Sequence, residues 1–165
     1  VILGAEMNNW LNELKDTNII FTKANSDAGG IAINKMIDEY VKSRPNCIAF
    51  ASLGSLRYLS ALKHVDIILG NSSSGLLEAP SMGVATINVG SRQDGRLKAL
   101  SVIDVKPIKS QILKAIKLAY SPKFQKIVQK KQNPYGDSKA SKTIVKVLKN
   151  INLKVITVKK FKDLV

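Results

Sequence analysis

Short apolar segments alternate with stretches of helical periodicity along almost the whole of this 165-residue chain. The apolar segments predict strands at 18–22, 47–51, 65–69, 84–89 and 101–105. The periodic stretches predict helices at 6–14, 29–41, 55–63, from about 75 onward, at 108–120 and at 138–149. Strands that alternate with helices over short connections form a parallel sheet with helices on both faces. We therefore expect one α/β domain spanning residues 1–165.

The composition argues against several kinds of site. Cys47 is the only cysteine and lies in an apolar segment, so we expect a buried, inert side chain, with no disulfide and no thiolate metal site. His64 is the only histidine, and we expect it at a solvated helix end and not in catalysis. No segment is long enough to span a bilayer and no signal peptide is visible, which predicts a cytoplasmic protein. The first residue, Val1, favours a part cut from a longer protein.

The positive charge is concentrated in the last third of the sequence. The net charge is +14, and residues 106–165 hold 16 lysines against two acidic residues. Lys109, Lys114 and Lys117 recur at the spacing of a solvent-facing helix surface. Aromatic residues are 5% of the chain and are not interleaved with the lysines, as a base-stacking surface would need. Nucleic-acid binding is therefore an alternative function and not the favoured one.

Four polar loops that contain glycine follow four of the predicted strands. Because ligands of parallel α/β sheets bind at the carboxyl ends of the strands, these loops mark one edge as the candidate site. The loops cover residues 23–30, 52–54, 70–75 and 90–96. We call residues 70–75 the serine turn and residues 90–96 the arginine loop.

The serine turn has the sequence Gly-Asn-Ser-Ser-Ser-Gly. The hydroxyl groups of Ser72, Ser73 and Ser74, with the N–H groups at the start of the next helix, suit a phosphate group. Gly70 and Gly75 would let the backbone approach a ligand closely. An ordinary helix cap beside a glycine turn explains the same residues, so both interpretations stay open.

Glu78 follows the serine turn by three residues. Its carboxylate could close a capping box with the preceding serines, or it could accept hydrogen bonds from both hydroxyls of a ribose, and the spacing does not decide between them. Arg92 and Arg96 are two of only four arginines in the chain. Because a guanidinium forms paired hydrogen bonds with phosphate, the arginine loop favours a second contact to a diphosphate.

No catalytic set can be assembled on this edge. The main carboxylates there are Asp27, Glu78 and Asp94, and His64 has no partners for a Ser-His-Asp arrangement. The sequence by itself therefore predicts a nucleotide-binding half, with no catalytic residue in this chain.

Three segments closely resemble the hydrolysing UDP-N-acetylglucosamine 2-epimerases of sialic acid biosynthesis. They are Gly-Asn-Ser-Ser-Ser-Gly-Leu-Leu-Glu-Ala-Pro at 70–80, Thr-Ile-Asn-Val-Gly-Ser-Arg-Gln-Asp-Gly-Arg at 86–96 and Asn-Pro-Tyr-Gly at 133–136. Residues 21–30 and 52–62 continue the resemblance, which covers nearly the whole chain. The Asn-Ser-Ser-Ser-Gly form resembles the hydrolysing branch, whereas non-hydrolysing epimerases resemble Asp-Ser-Gly-Gly at this place.

The resemblance implies a fold and a reaction. The fold would be a Rossmann-like, doubly wound parallel sheet, the C-terminal half of a two-domain glycosyltransferase-B type fold. The missing N-terminal domain would carry the acid and base carboxylates. The full-length enzyme would hydrolyse UDP-N-acetylglucosamine to N-acetylmannosamine and UDP without a cofactor or a metal ion, and this chain alone would be inactive.

The resemblance also implies roles for individual residues. The diphosphate would be bound by Ser72, Ser73, Ser74, Gly75, Arg92 and Arg96, the ribose by Glu78, and the uracil by Ser52, Leu53 and Tyr58. Expected partners are a UDP-sugar and the N-terminal domain, with neither a membrane nor a nucleic acid, and a homo-oligomer stays open. Three alternatives stay open. One is a non-hydrolysing epimerase, the second is a relative that acts on a UDP-diacetamido sugar and shares the nucleotide motifs, and the third is the C-terminal domain of a UDP-sugar glycosyltransferase, which would share the serine turn and Glu78.

Overall fold

A computed structural model describes residues 11–14, 16–25, 29–136 and 139–151. Most of the helix predicted at 6–14 and the start of the one predicted at 138–149 lie outside the described residues, as does Asp27. The chain forms two compact units, residues 1–134 and residues 135–165.

The first unit contains all five predicted strands. They are β1 (Ile19–Thr22), β2 (Cys47–Phe50), β3 (Ile67–Gly70), β4 (Ala85–Val89) and β5 (Val102–Val105). Every pairing among them is parallel, which confirms the α/β class. Within the described residues the ladders form two groups, β1 with β2 and the order β3-β4-β5.

The helices of the first unit are α1 (Gly30–Lys42), α2 (Gly54–Leu62), α3 (Ser74–Leu77), α4 (Ala79–Met82), α5 (Lys109–Ala119) and α6 (Pro122–Val128). Helix α6 is not among the helices predicted from the sequence, although its start carries a recognisable signal. The Ser121 hydroxyl accepts a hydrogen bond from the Phe124 N–H at 3.3 Å, and Pro122 occupies the first helical position. The second unit contains α7 (Ala140–Asn150). No helix among the described residues is long and apolar enough to span a membrane.

The core is built around β4, which is buried along its whole length. Alternate residues of a strand face opposite sides of the sheet. Ala85, Ile87 and Val89 lie in the main core cluster, with Ile112 of α5 and Ile37 of α1 among its other members. The opposite face of β4 is covered by α3 and α4, so both faces of the central strand are buried, as the short connections predicted.

The burial of individual side chains also follows the sequence predictions. Cys47 is buried, and burial raises the pKa of its thiol. His64 is exposed just after the end of α2. On α5, Lys114 and Lys117 are exposed while Ile112 is buried, as expected for the solvent face of an amphipathic helix.

One predicted helix is interrupted. A single helix was expected from about Gly75, but α3 and α4 meet at Glu78. Pro80 has no N–H, so it cannot donate the hydrogen bond that a continuous helix needs at its position. The Asn133 side-chain amide donates to the Leu77 carbonyl at 2.8 Å and supplies a hydrogen bond beside the break.

A charged group lies at the carboxyl end of β5. Asn88 donates to Asp104 Oδ1 at 2.7 Å, and the Lys98 ammonium lies 2.9 Å from both carboxylate oxygens. Burial alone would raise the pKa of Asp104, but the hydrogen bonds from Asn88 and Lys98 and the Lys98 charge outweigh it and lower the pKa. Asp104 therefore favours its charged form in the folded state.

This group predicts a pH dependence of stability. The folded-state pKa of Asp104 lies below the unfolded value of about 3.9. The contribution of the Asp104 carboxylate to the free energy of unfolding is therefore complete above that value and is lost as the pH falls through the folded-state pKa. Thermal unfolding at a series of pH values should show that acidification lowers the melting temperature of Asp104→Asn by less than that of the wild type. The carboxylate is half exposed, so the difference should be small and should shrink in about 1 M salt. Identical profiles for the two proteins would contradict this account.

Candidate functional site

The serine turn and the arginine loop leave the same edge of the sheet. They follow β3 and β4, which are neighbours, and Gly70 at the end of β3 pairs with Asn88 in β4. The two loops are joined at one backbone atom, the Asn71 carbonyl oxygen. Gln93 Nε2 donates to this oxygen at 2.7 Å and Arg92 Nη1 donates to it at 3.4 Å. The arginine loop is thereby held against the serine turn.

Gln93 belongs to this edge but is not among the site residues predicted from the sequence. Its side chain is buried although most of the arginine loop around it is exposed. Its Oε1 is buried without a hydrogen-bond partner in the described part of the chain. No pattern marks it in advance, because its partner is a backbone carbonyl of another loop.

Part of the serine-turn backbone is hydrogen-bonded within the turn itself. The Ser74 N–H donates to Ser72 Oγ at 3.4 Å, and the Gly75 N–H donates to the Ser72 carbonyl at 3.2 Å. The Leu76 N–H donates to the Ser73 carbonyl at 2.9 Å. These three N–H groups are therefore engaged inside the turn. The N–H groups of Ser72 and Ser73 have no acceptor among the described residues, so they and the serine hydroxyls are the donors left for a ligand.

The three serine hydroxyls have different surroundings. Ser73 precedes α3, yet its side chain does not cap the helix and makes no hydrogen bond to another described residue. Ser72 Oγ accepts the long bond from the Ser74 N–H, which leaves its own hydrogen free to donate. The Ser74 hydroxyl is bonded to the Tyr58 hydroxyl of α2. Ser72 and Ser73 are therefore the freest donors of the turn.

Tyr58 brings α2 to the serine turn. Its pKa is raised, first by burial and then by the nearby negative charge of Glu78, while the hydrogen bond with Ser74 acts in the opposite direction. The residues before α2 are less closely attached. Ser52 Oγ accepts from the Gly54 N–H at 3.2 Å, and Leu53 precedes the helix. Neither Ser52 nor Leu53 makes a hydrogen bond to the serine turn in the residues described.

Glu78 lies at the junction of α3 and α4, and one of its carboxylate oxygens lacks a hydrogen-bond donor among the described residues. Its Oε2 is buried and has no hydrogen-bond partner among the described residues. No side-chain cap forms at Glu78 or at Ser73, so the capping box is absent. A buried oxygen without a donor costs free energy that a ligand hydroxyl could recover. The geometry therefore favours the second of the two roles considered for Glu78.

Among the described residues, Arg96 and the loop after β1 make no hydrogen bond to the serine turn. Arg96 is exposed, and its side chain makes no hydrogen bond or ion pair with a described residue. The loop after β1 is fixed to α1, where Lys23 forms an ion pair with Asp38 at 2.8 Å and Asn34 exchanges two hydrogen bonds with Ala24. The described residues contain no group of three His, Cys, Asp or Glu side chains that could hold a metal ion.

A known protein family has the sequence pattern of this chain. The family model described as UDP-N-acetylglucosamine 2-epimerase matches residues 4–149. This chain belongs to that family. The match includes the serine turn, Glu78 and the arginine loop, so the resemblance recognised from those segments is confirmed.

Curated relatives of the epimerase family are similar to most of the chain. The polysialic acid biosynthesis protein P7 of Escherichia coli is 39% identical over 79% of this chain and 33% of its own length. The GDP/UDP-N,N'-diacetylbacillosamine 2-epimerase (hydrolyzing) of Campylobacter jejuni is 38% identical over 93% of this chain and 40% of its own. The chain thus spans between a third and two fifths of the length of these relatives.

Solved epimerase structures show the fold. The UDP-GlcNAc 2-epimerase of Neisseria meningitidis, solved bound to UDP-GlcNAc, matches 90% of this chain and 41% of its own with a TM-score of 0.67 and 21% identity. The MnaA structure of S. aureus with UDP matches 90% of this chain and 39% of its own with a TM-score of 0.70 and 22% identity. The chain therefore has the Rossmann-like α/β fold of one half of the glycosyltransferase-B arrangement, as expected.

Proposed function

We propose that this chain is the UDP-sugar-binding C-terminal domain of a hydrolysing UDP-N-acetylglucosamine 2-epimerase. The observation that carries the proposal is the joining of the serine turn and the arginine loop at the Asn71 carbonyl. This joining places hydroxyl and guanidinium donors around one carboxyl edge of the sheet, where a nucleotide diphosphate is expected to bind. The enzyme would convert UDP-N-acetylglucosamine to N-acetylmannosamine and UDP.

Each part of UDP has a candidate partner at this edge. Ser72 and Ser73 would donate to the diphosphate, and Arg92 would neutralise it. Glu78 would accept hydrogen bonds from the ribose hydroxyls through its unpartnered oxygen. The uracil would lie beside the start of α2, near Ser52 and Leu53. Arg96 and the Ser74–Gly75 segment complete the set that the family resemblance implies.

The chemistry is proposed to need the remainder of the protein. The relatives are more than twice as long as the matched region, and the described edge holds no pair of carboxylates suited to acid–base work. We therefore expect this chain alone to release no UDP from UDP-N-acetylglucosamine. A cytoplasmic location and a homo-oligomer stay predictions.

The sugar of the substrate has a second candidate. A relative that is 38% identical over 82% of this chain is named UDP-N,N'-diacetylbacillosamine 2-epimerase (hydrolyzing), from Legionella pneumophila. This supports a UDP-diacetamido sugar as the alternative substrate. Release of UDP from each sugar nucleotide by the full-length protein, measured without an acceptor, shows which of the two sugars is the substrate. Release without an acceptor also distinguishes an epimerase from a glycosyltransferase.

Calorimetric titration of the chain with UDP tests the binding role. Because hydrogen bonds to charged groups contribute about 1.5–3 kcal/mol, Ser73→Ala and Arg92→Ala should each weaken UDP binding by roughly 10- to 100-fold. Ser110→Ala and Lys117→Ala remove a hydroxyl and a charge from exposed positions on α5, and they should bind UDP as the wild type does.

Two results would contradict the proposal. One is a wild-type chain that shows no UDP binding at millimolar concentrations. The other is equal affinity in all four variants. Retention of RNA with an affinity that falls steeply with salt, together with no UDP binding, would instead favour the nucleic-acid alternative.

A further inference from the structure

The Tyr58–Ser74 hydrogen bond joins two elements at the centre of the candidate site. Tyr58 comes from α2 and Ser74 is the first residue of α3. The backbone of Ser74 is fully engaged, because its N–H donates to Ser72 Oγ and its carbonyl accepts from the Glu78 N–H at 2.9 Å. The hydroxyl is therefore the group that Ser74 has left to offer a ligand.

Only one orientation of this hydroxyl pair serves an anionic ligand. Each hydroxyl carries a single hydrogen and can accept through its lone pairs. If Ser74 donates to Tyr58, the Ser74 hydrogen is used and its oxygen faces the ligand with lone pairs only. If Tyr58 donates to Ser74, the Ser74 hydrogen is free to donate to a phosphate oxygen. A phosphate that accepts a hydrogen bond from the Ser74 hydroxyl therefore requires Tyr58 to be the donor in this pair.

Tyr58 is suited to remain a donor. A tyrosine phenol keeps its proton at neutral pH because its ordinary pKa is about 10, and here burial raises that pKa further although the hydrogen bond with Ser74 acts in the opposite direction. Among the described residues, its hydroxyl has a hydrogen bond only with Ser74. The Tyr58 hydroxyl thus connects α2 to the serine turn through Ser74.

We propose that Tyr58 is a positioning residue for the diphosphate, whose hydroxyl donates to Ser74 Oγ and directs the Ser74 hydrogen toward a phosphate oxygen. This inference rests on the proposed UDP-binding function. It assigns Tyr58 to a different part of the ligand from the uracil contact that the family resemblance implies. The two assignments predict different losses for UDP and for uridine, which lacks the diphosphate.

Calorimetry with UDP and with uridine separates the two assignments. A typical net hydrogen bond contributes about 1 kcal/mol, so Tyr58→Phe should weaken UDP binding by roughly fivefold. Uridine binding should change by less than about twofold, because the affected group is the phosphate donor. In a Ser74→Ala background, Tyr58→Phe should have no further effect on UDP binding, because the hydroxyl that it directs is gone.

Controls keep the structural explanation apart from the proposed one. Tyr120→Phe removes the hydroxyl of a half-exposed tyrosine at the end of α5 and should leave both affinities unchanged. Thermal unfolding of each variant shows whether the fold is kept, and a purely structural role for Tyr58 would lower uridine and UDP affinity together.

The possible results distinguish this inference from the function on which it rests. Suppose that the wild type binds UDP. The Tyr58 assignment alone is then overturned if Tyr58→Phe weakens the binding of uridine and of UDP equally, or if the losses of UDP affinity from Tyr58→Phe and Ser74→Ala add in the double variant. A wild-type chain that does not bind UDP overturns the proposed function and this inference together. A loss confined to UDP and absent in the Ser74→Ala background supports the inference.

Discussion

Replacing Gly75 with alanine should lower the free energy of unfolding by about 1–3 kcal/mol, the usual cost of forcing a methyl group into a filled interior. A Cβ at Gly75 would lie 2.7 Å from Thr86 Cγ2 and 3.5 Å from Thr86 Oγ1. Thr86 is 2% exposed and lies on the buried strand β4, so it has little room to move away. Urea-induced unfolding of the wild type and the variant measures the difference.

The backbone at Gly75 does not account for this loss. The residue is in α3 and does not have a positive φ. Alanine is intrinsically the better helix former by about 1 kcal/mol. The contact with Thr86 is therefore the reason that glycine is needed, and a variant more stable than the wild type would contradict it.

A second substitution tests the contact itself. Thr86→Ser removes the Cγ2 methyl but keeps the hydroxyl that donates to the Gly75 carbonyl at 2.8 Å. The double variant Gly75→Ala/Thr86→Ser should be more stable than the two single losses predict, by about 1 kcal/mol or more. Additive losses would mean that the clash lies elsewhere. UDP affinity should follow the same pattern, because the serine turn is adjacent to Gly75.

The elements of the fold were predictable because their signals are local. The strands were placed to within two residues at either end, since each is a short apolar run bounded by polar or glycine residues. The helix boundaries were predicted wrongly where a proline changes the helix pattern, at Pro80 and at Pro122. Pro80 was visible in the sequence, but its effect of dividing the helix at Glu78 depends on the lost N–H. The start of α6 has an equally local signal, a serine cap followed by a proline, at Ser121 and Pro122.

The candidate site was predictable in its residues but not in its connections. The hydroxyls and guanidiniums were singled out by residue type and by their place after strands. The contacts that hold them depend on the backbone and on distant side chains. The Asn71 carbonyl joins two loops without any sequence signature, and Tyr58 meets Ser74 from sixteen positions away. The hydrogen bonds inside the serine turn depend on its three-dimensional path, so the sequence could not show which of its N–H groups have acceptors within the turn.

Glu78→Ala should weaken uridine binding by roughly 10- to 100-fold, because hydrogen bonds to a charged acceptor contribute about 1.5–3 kcal/mol. The same substitution should leave the melting temperature unchanged or raise it, since it removes a carboxylate oxygen that is buried without a donor. A helix-capping role predicts the reverse, a lower melting temperature with little change in uridine affinity. Calorimetry and thermal unfolding of the same samples separate the two roles.

The ligand provides the matched control for this prediction. With 2',3'-dideoxyuridine, which lacks the 2'- and 3'-hydroxyls that would donate to Glu78, the wild type and Glu78→Ala should bind equally weakly. Glu39→Ala removes an exposed glutamate from α1 and should bind uridine as the wild type does. If Glu78→Ala weakened both nucleosides equally, the carboxylate would be acting on the base or on the fold. A loss confined to uridine identifies the ribose hydroxyls as the donors that Glu78 Oε2 lacks.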